Sequence, residues 1–493
     1  MSNNKLEHIL FLTGKLAEKR LHKVVASMKP TNFTYEIRNI GVSVAALMTA
    51  DMLKRRLQDL DAYDRIIVPG LCRGDLDKAS QTLGVEVVRG TEDLKDLPGF
   101  FGHKCQPVDL SRYDVSIFAE ITDAPQIGLE AIMARAKQYR LDGADVIDIG
   151  CLPDTPFPHL EEAVAALKQA GYRVSVDSLD VDDLLRGGKA GADYLLSLNE
   201  STLWVTDEVD SVPVLIPEPH KDMASLYRAI DYMRENKRPC IADSILDPIH
   251  FGFTDSILRY HELRQRYPDV EIMMGIGNLT ELTEADTTGI NALLFGMISE
   301  LRITQVLATE VSPHTCSAVR EADRARRIMF AARTEESLPK GLDSGLLSTH
   351  ALKPFPYSKD EIEELAAEIR DPSYRVQISK GGIHVYNRDG FSTAANPFEL
   401  FPELELIQDD APHAFYMGVE LARAQVAWQL GKRYQQDEEL EWGVATRGSS
   451  EAEKNRLSRA AHRLKGNSGN ADGYKEAGST LKASRARKKK QKK

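Results

Sequence analysis

Ten side chains able to grip a polar ligand recur at one kind of place in this 493-residue chain, at or just past the end of a short apolar run. They are Glu120, Asp123, Asp148, Asp177, Asn199, Glu218, Asp243, Asp247, Asn278 and Glu310. All are carboxylates or amides, so as a set they accept hydrogen bonds. That suits a ligand rich in N–H donors and argues against a phosphate or carboxylate ligand, which calls for Arg and Lys. One carboxylate takes two parallel donors, so a ring edge bearing an amino group beside an N–H is the natural fit. A lone Asp after a strand also serves as a helix cap or loop anchor, which is the plain reading of Asp123, Asp154, Asp180 and Asp243. No HxH, HxxxH or CxxC spacing is present, and the five cysteines are scattered, so no metal is expected. His250 is a candidate to face the site, and Cys151 has no neighbouring base to activate it.

These groups act together only if the runs they follow lie side by side. Apolar runs at 115–121, 145–149, 173–176, 194–198, 212–216, 240–246, 271–274 and 305–308 alternate with helix-period segments, among them 129–139, 160–170, 226–233, 257–266 and 290–301. Eight strands, each followed by a helix, predict an α/β fold: a closed (β/α)8 TIM barrel over residues 113–335, whose functional groups sit at the C-terminal ends of the strands. Residues 1–112 predict a Rossmann-like α/β domain, with strands at 9–12, 33–40, 65–69 and 85–88 in parallel pairing around helices at 15–28 and 45–57. Its Thr13-Gly14-Lys15 turn lacks the GxxxxGK[ST] pattern of a phosphate loop. Residues 340–443 predict an α+β domain. There Gly381-Gly382 separates two short strands as in a hairpin, and Phe415, Val419, Ala422, Val426 and Leu430 fall on one helical face.

Net charge is −11, but residues 444–493 hold fifteen Lys and Arg against four Asp and Glu, so the preceding body carries −22. An acidic body repels nucleic acid, which leaves only this tail, expected to be disordered, to meet it. Neither a membrane-length apolar run nor a signal sequence is read, and a cytoplasmic location is expected.

Four segments carry a resemblance to the dihydropteroate synthase family. Gly143-Ala-Asp-Val-Ile-Asp-Ile-Gly150 is similar to the family's second-strand motif, Val174-Ser-Val-Asp-Ser178 to the third, Ala190-Gly-Ala-Asp-Tyr-Leu-Leu-Ser197 to the fourth, and Ile245-Leu-Asp-Pro-Ile-His-Phe-Gly-Phe253 to the sixth. They occur in the family's order along about 220 residues. The resemblance implies a pterin, whose 2-amino group and N3–H are such a donor edge, read by Asp177 and Asp247 with Asp148 and Asn199 beside them. Glu120, Asp123, His250 and Glu310 are candidates for the rest of the pocket. The family's catalytic Ser-Arg-Lys, its closing Arg-x-His and its first-strand Asn, which helps to hold magnesium and pyrophosphate, have no counterpart at Gly277-Asn278-Leu279, Ala308-Thr-Glu310 and Glu120-Ile-Thr-Asp123. Met274-Gly-Ile-Gly-Asn278 more closely resembles the pterin-dependent methyltransferases of the same superfamily, which implies Asn278 near N5 of the ring.

The whole chain resembles dihydropteroate synthase-related proteins of organisms that use tetrahydromethanopterin. This resemblance implies a transferase that binds a reduced, tetrahydromethanopterin- or folate-type pterin in pteridine biosynthesis or one-carbon metabolism. The alternatives are a methyltetrahydropterin–corrinoid methyltransferase and a non-catalytic pterin carrier. A corrinoid, a partner protein and a second copy of the chain are the candidate further partners.

Overall fold

A computed structural model describes residues 6–103, 108–404 and 411–447, and the chain divides into two compact units between Ser344 and Gly345. The first unit carries two sheets. Strands β1 (Glu7–Thr13), β2 (Phe33–Asn39), β3 (Arg65–Val68) and β4 (Glu86–Arg89) pair in parallel in the order β2-β1-β3-β4. β1 reads as an unbroken apolar run because both its faces are covered. Leu10 and Leu12 pack into one cluster with Ile66 and Val68, and Ile9 and Phe11 into another with Val25 and Ile67.

The second sheet is the expected closed parallel barrel. Strands β5 (Ser116–Ile121), β6 (Val146–Gly150), β7 (Arg173–Asp177), β8 (Tyr194–Leu198), β9 (Val212–Leu215), β10 (Ile241–Ala242), β11 (Glu271–Gly275) and β12 (Gln305–Ala308) follow one another around the ring, and β12 closes on β5. Phe118, Val146, Leu196, Val214, Ile241 and Met273 point inward and pack into a floor. Side chains alternate across a strand, so residues two further on share the inward face one layer nearer the C-terminal ends. Glu120 follows Phe118, Asp148 follows Val146 and Asp243 follows Ile241 in this way. At the opposite end of the barrel, buried Arg326 donates to the carbonyls of Val115 and Gly143 and pairs with Asp145 and Asp323, tying the last helix (Ala318–Thr334) across the β5–β6 seam.

One strand is shorter than the sequence predicts. The 240–246 run pairs only over Ile241–Ala242, because the Asp243 carboxylate accepts the Ile245 N–H at 2.7 Å and Ile245 turns to φ +63°, which takes the chain out of the sheet.

The second unit is built on an antiparallel sheet of β13 (Arg375–Ser379), β14 (Gly382–Asn387) and β15 (Gly390–Ala394). The hairpin at Gly381-Gly382 is the one expected; β15 was not. The helix Ala411–Leu430 packs on the sheet, but with a different face from the expected stripe. Met417, Leu421, Ala424 and Ala427 are buried together with Glu420, whose charge is met by Arg423 and the Tyr434 hydroxyl. Phe415, Ala422 and Val426 face outward within this unit. The tail beyond residue 447 lies outside the described residues, as does Cys105. No helix among the described residues is long and apolar enough to cross a membrane.

Candidate functional site

Register brings the acidic groups of three adjacent strands together. Glu120 on β5 lies opposite Asp148 on β6, and Asp148 opposite Ser175 on β7, with Asp177 one layer further out. The carboxylates of Glu120, Asp148 and Asp177 each contribute an oxygen to a cluster in which all three atoms lie within 4.8 Å of one another. Asp148 is completely buried, and neither of its carboxylate oxygens has a hydrogen-bond partner. Ser175, also completely buried, lies close enough to draw the Asp148 pKa down a little, yet its hydroxyl makes no hydrogen bond. A Cβ at Gly150 would sit 2.4 Å from Glu120 Oε1, so only glycine leaves room for that carboxylate at the end of β6.

Crowding and burial set the protonation of this cluster. Burial, then the charges of Asp177 and Glu281, push Glu120 up to about 8. Burial and the neighbouring Glu120 carry Asp148 well above the usual carboxylate range, and burial with Asp148 and Asp243 does the same to Asp177. A buried carboxylate beside like charges holds its proton because the charged form has lost water and gained repulsion. Asp243 rises to about 6 by burial, held back by hydrogen bonds from the Tyr260 hydroxyl (2.5 Å) and Ile245 N–H and by the charge of Arg259. Cys151 beside the cluster is pushed up to about 12 by burial and the surrounding carboxylates, which removes it as a nucleophile.

Asp247 stands in different surroundings. Its Oδ1 accepts from His220 Nε2 at 2.8 Å, and its Oδ2 meets Arg259 at 3.0 Å and Lys221 at 3.3 Å. Burial raises its pKa, but Arg259, His220 and Lys221 together more than reverse that, so it stays ionised below its ordinary value. His220 and Lys221 keep nearly half of their side-chain surface exposed. Sequence reading weighed His220 as a possible metal ligand or acid–base group and did not single out Lys221; both come from the loop after β9. It also missed Glu281, whose carboxylate accepts from the N–H groups of Val311 and Ser312 and from the hydroxyls of Thr309 and Thr315.

Of the remaining expected site residues, Asn278 on the short helix Gly277–Thr280 donates its amide to the carbonyl of Leu246 at 2.6 Å, locking the loop that carries Asp247. Asn199 closes a local turn, its Oδ1 accepting from the N–H and hydroxyl of Ser201. Asp123 pairs with Arg135, and Glu310 accepts the N–H of Val319 at the start of the last barrel helix. His250 is exposed at φ +69°. Around the rim, Leu179, Phe251, Leu282 and Val311 project from four different strand-to-helix loops and are each more than half exposed. The expectation of no metal rested on His and Cys spacing and did not weigh carboxylates, three of which the barrel brings together.

Fold and site thus define a (β/α)8 barrel with an acidic, partly protonated mouth and a separate cation-bound Asp247. Residues 7–92, which hold the β1–β4 sheet, match a family of unknown function, DUF6513. An uncharacterized protein of Methanocaldococcus jannaschii is 25% identical over 527 aligned positions, covering 88% of this chain and 98% of that protein. Among solved structures, the dihydropteroate synthase of Yersinia pestis in complex with a sulfonamide drug is similar at 16% identity and a TM-score of 0.36, covering 46% of this chain and 96% of its own. That of Thermus thermophilus in complex with 6HMPPP aligns at 17% identity and 0.34, covering 45% and 95%. That of Anaplasma phagocytophilum with bound 6-hydroxymethylpterin-monophosphate aligns at 14% and 0.34, covering 44% and 98%. Likeness at this level carries no argument about ligand or activity.

Proposed function

We propose that this protein binds a reduced pterin of the tetrahydromethanopterin or folate type in its barrel mouth and acts as a dihydropteroate synthase-like transferase in pteridine or one-carbon metabolism. The observation that carries the reading is Asp177: it ends the strand whose motif resembles the family's third, it faces the mouth, and its carboxylate has no hydrogen-bond or ion-pair partner among the described residues. An acceptor left unmatched at a mouth is what the paired N–H groups of a pterin edge satisfy. The exposed apolar residues of the rim supply surfaces for the ring faces. Lys221 beside Asp247 offers the positive charge that a departing anion needs, and His220 a neighbouring hydrogen-bonding group, both with nearly half of their side-chain surface exposed. They favour a transferase over a passive carrier.

Asp247 enters this reading in a changed role. Its oxygens already meet two cations and an imidazole, so it orients His220, Lys221 and Arg259, and the donor edge falls to Asp177. The methyltransferase alternative loses ground at Asn278, whose amide nitrogen is committed to the Leu246 carbonyl.

The test is titration of the purified protein with reduced pterins, followed by pterin fluorescence, with turnover assayed for a pterin pyrophosphate plus an arylamine and for methyl exchange with cobalamin. Pterin binding with pyrophosphate release supports the proposal, and methyl exchange supports the alternative. Absence of binding by any reduced pterin at about 1 mM, a free energy of only ~4 kcal/mol, overturns both.

A further inference from the structure

Three carboxylates from three strands meet in the barrel mouth, and the arrangement has a chemical requirement of its own. Asp148 has both oxygens unpartnered in a fully buried place, with the fully buried, unpartnered Ser175 hydroxyl on the adjacent strand at the same level. Buried polar atoms are normally matched, so a cluster left open at one point marks missing positive charge or missing protons. Two ligands of one ion lie at most twice the metal–oxygen distance apart. For hard divalent cations that limit is ~4.2 Å at magnesium lengths and ~5 Å at calcium lengths. The three oxygens all lie within 4.8 Å of one another, close enough for one ion of calcium size to reach them together. An all-oxygen donor set with no sulfur or imidazole selects magnesium, manganese or calcium over zinc or copper.

We propose that Glu120, Asp148 and Asp177 hold a divalent cation in the barrel mouth, with the Ser175 hydroxyl facing the same space. Three carboxylates supply this site without any anionic substrate, so the ion binds to the protein alone. The inference rests on the cluster's geometry and stands whether or not a pterin is the ligand above it.

The experiment uses the full chain stripped with EDTA and titrated with manganese, with free Mn2+ followed by electron paramagnetic resonance. One bound ion per chain is expected. Glu120→Gln and Asp148→Asn should each weaken binding at least tenfold, and the surface variant Glu200→Gln should leave it unchanged. If Asp148→Asn fails to fold, Glu120→Gln at the mouth carries the same test. Absence of bound manganese at about 1 mM, or binding that neither variant weakens, overturns the proposal and leaves a cluster neutralised by protons alone. Pterin titration in EDTA reports separately: manganese binding without pterin binding sinks the proposed function and not this site, and the reverse result sinks only this site.

Discussion

Raising the pH of the metal-free protein should loosen the barrel, and the size of the effect follows from Glu120. Its proton is held in the folded state up to about 8 but is lost near 4.5 once the chain is unfolded and solvated. Between those values the folded barrel binds more protons than the unfolded chain, so Glu120's contribution is full below about pH 4.5 and is lost as pH rises through about 8, and Asp148 and Asp177, raised in the same direction, add to the loss. Each tenfold difference in proton affinity between the two states is worth ~1.4 kcal/mol, so the loss across this window is about 5 kcal/mol, a large fraction of the ~5–15 kcal/mol that holds a typical domain together. With two compact units in the chain, a single unfolding curve would mix their transitions. Hydrogen exchange of peptides from residues 116–150, corrected for the intrinsic pH dependence of exchange, reads the barrel itself. Glu120→Gln removes the titrating proton while keeping shape, so its protection should be flatter with pH by the same amount. A wild-type profile that is flat, or one that falls equally in Glu120→Gln, would refute the idea that burial and like charges hold this proton.

Three other substitutions separate the roles assigned above, and a fourth tests the far end of the barrel. Asp177→Ala should weaken reduced-pterin binding by ~1–3 kcal/mol in a fluorescence titration, because the N–H groups of the ring edge lose their acceptor, with little change in stability. Asp247→Ala should instead cost ~3–5 kcal/mol of stability in denaturant unfolding, because Arg259, only 8% exposed, is left without its carboxylate. Gly150→Ala should destabilise by ~1–3 kcal/mol through the clash with Glu120 Oε1, and adding Glu120→Ala should recover most of that loss, a coupling that independent sites would not show. Arg326→Ala should lower the thermal midpoint by the equivalent of ~3–5 kcal/mol by taking from Asp145 its buried cation and from the Val115 and Gly143 carbonyls their donor at the N-terminal end of the barrel.

The strands were legible because each is a short run rich in Val, Ile and Leu bounded by turn residues, and seven of the eight barrel strands lie within about a residue of their expected ends. The eighth was read too long: a hydrogen bond from a backbone N–H to the Asp243 side chain competes with the sheet ladder, and no apolar pattern records it. β15 escaped notice because Gly390-Phe-Ser-Thr-Ala394 has little apolar content. The helix Ala411–Leu430 misled for a related reason. Phe415 and Val426 lie outward, while the buried face mixes Met417 and Leu421 with small alanines and a satisfied glutamate, which blurs the apolar period.

At the site, strand alternation already placed Glu120 two residues beyond Phe118 and Asp148 two beyond Val146, so the convergence was implicit in the register. What the sequence could not carry was partnership at a distance. Asp247 is neutralised from 27 residues before it and 12 residues after it, and Asn199 is spent on its own turn. Such pairings decide whether a carboxylate remains free for a ligand, and they belong to the tertiary structure.

The apolar floor of Phe118, Val146, Leu196, Val214, Ile241 and Met273 makes the barrel a cup with a single doorway. Asp148 lies one storey below Asp177, so whatever reaches it must pass where a flat ring would rest. If ion and pterin both bind as proposed, occupancy is sequential: the small guest enters first and leaves last, and the bulky one, seated above, covers it.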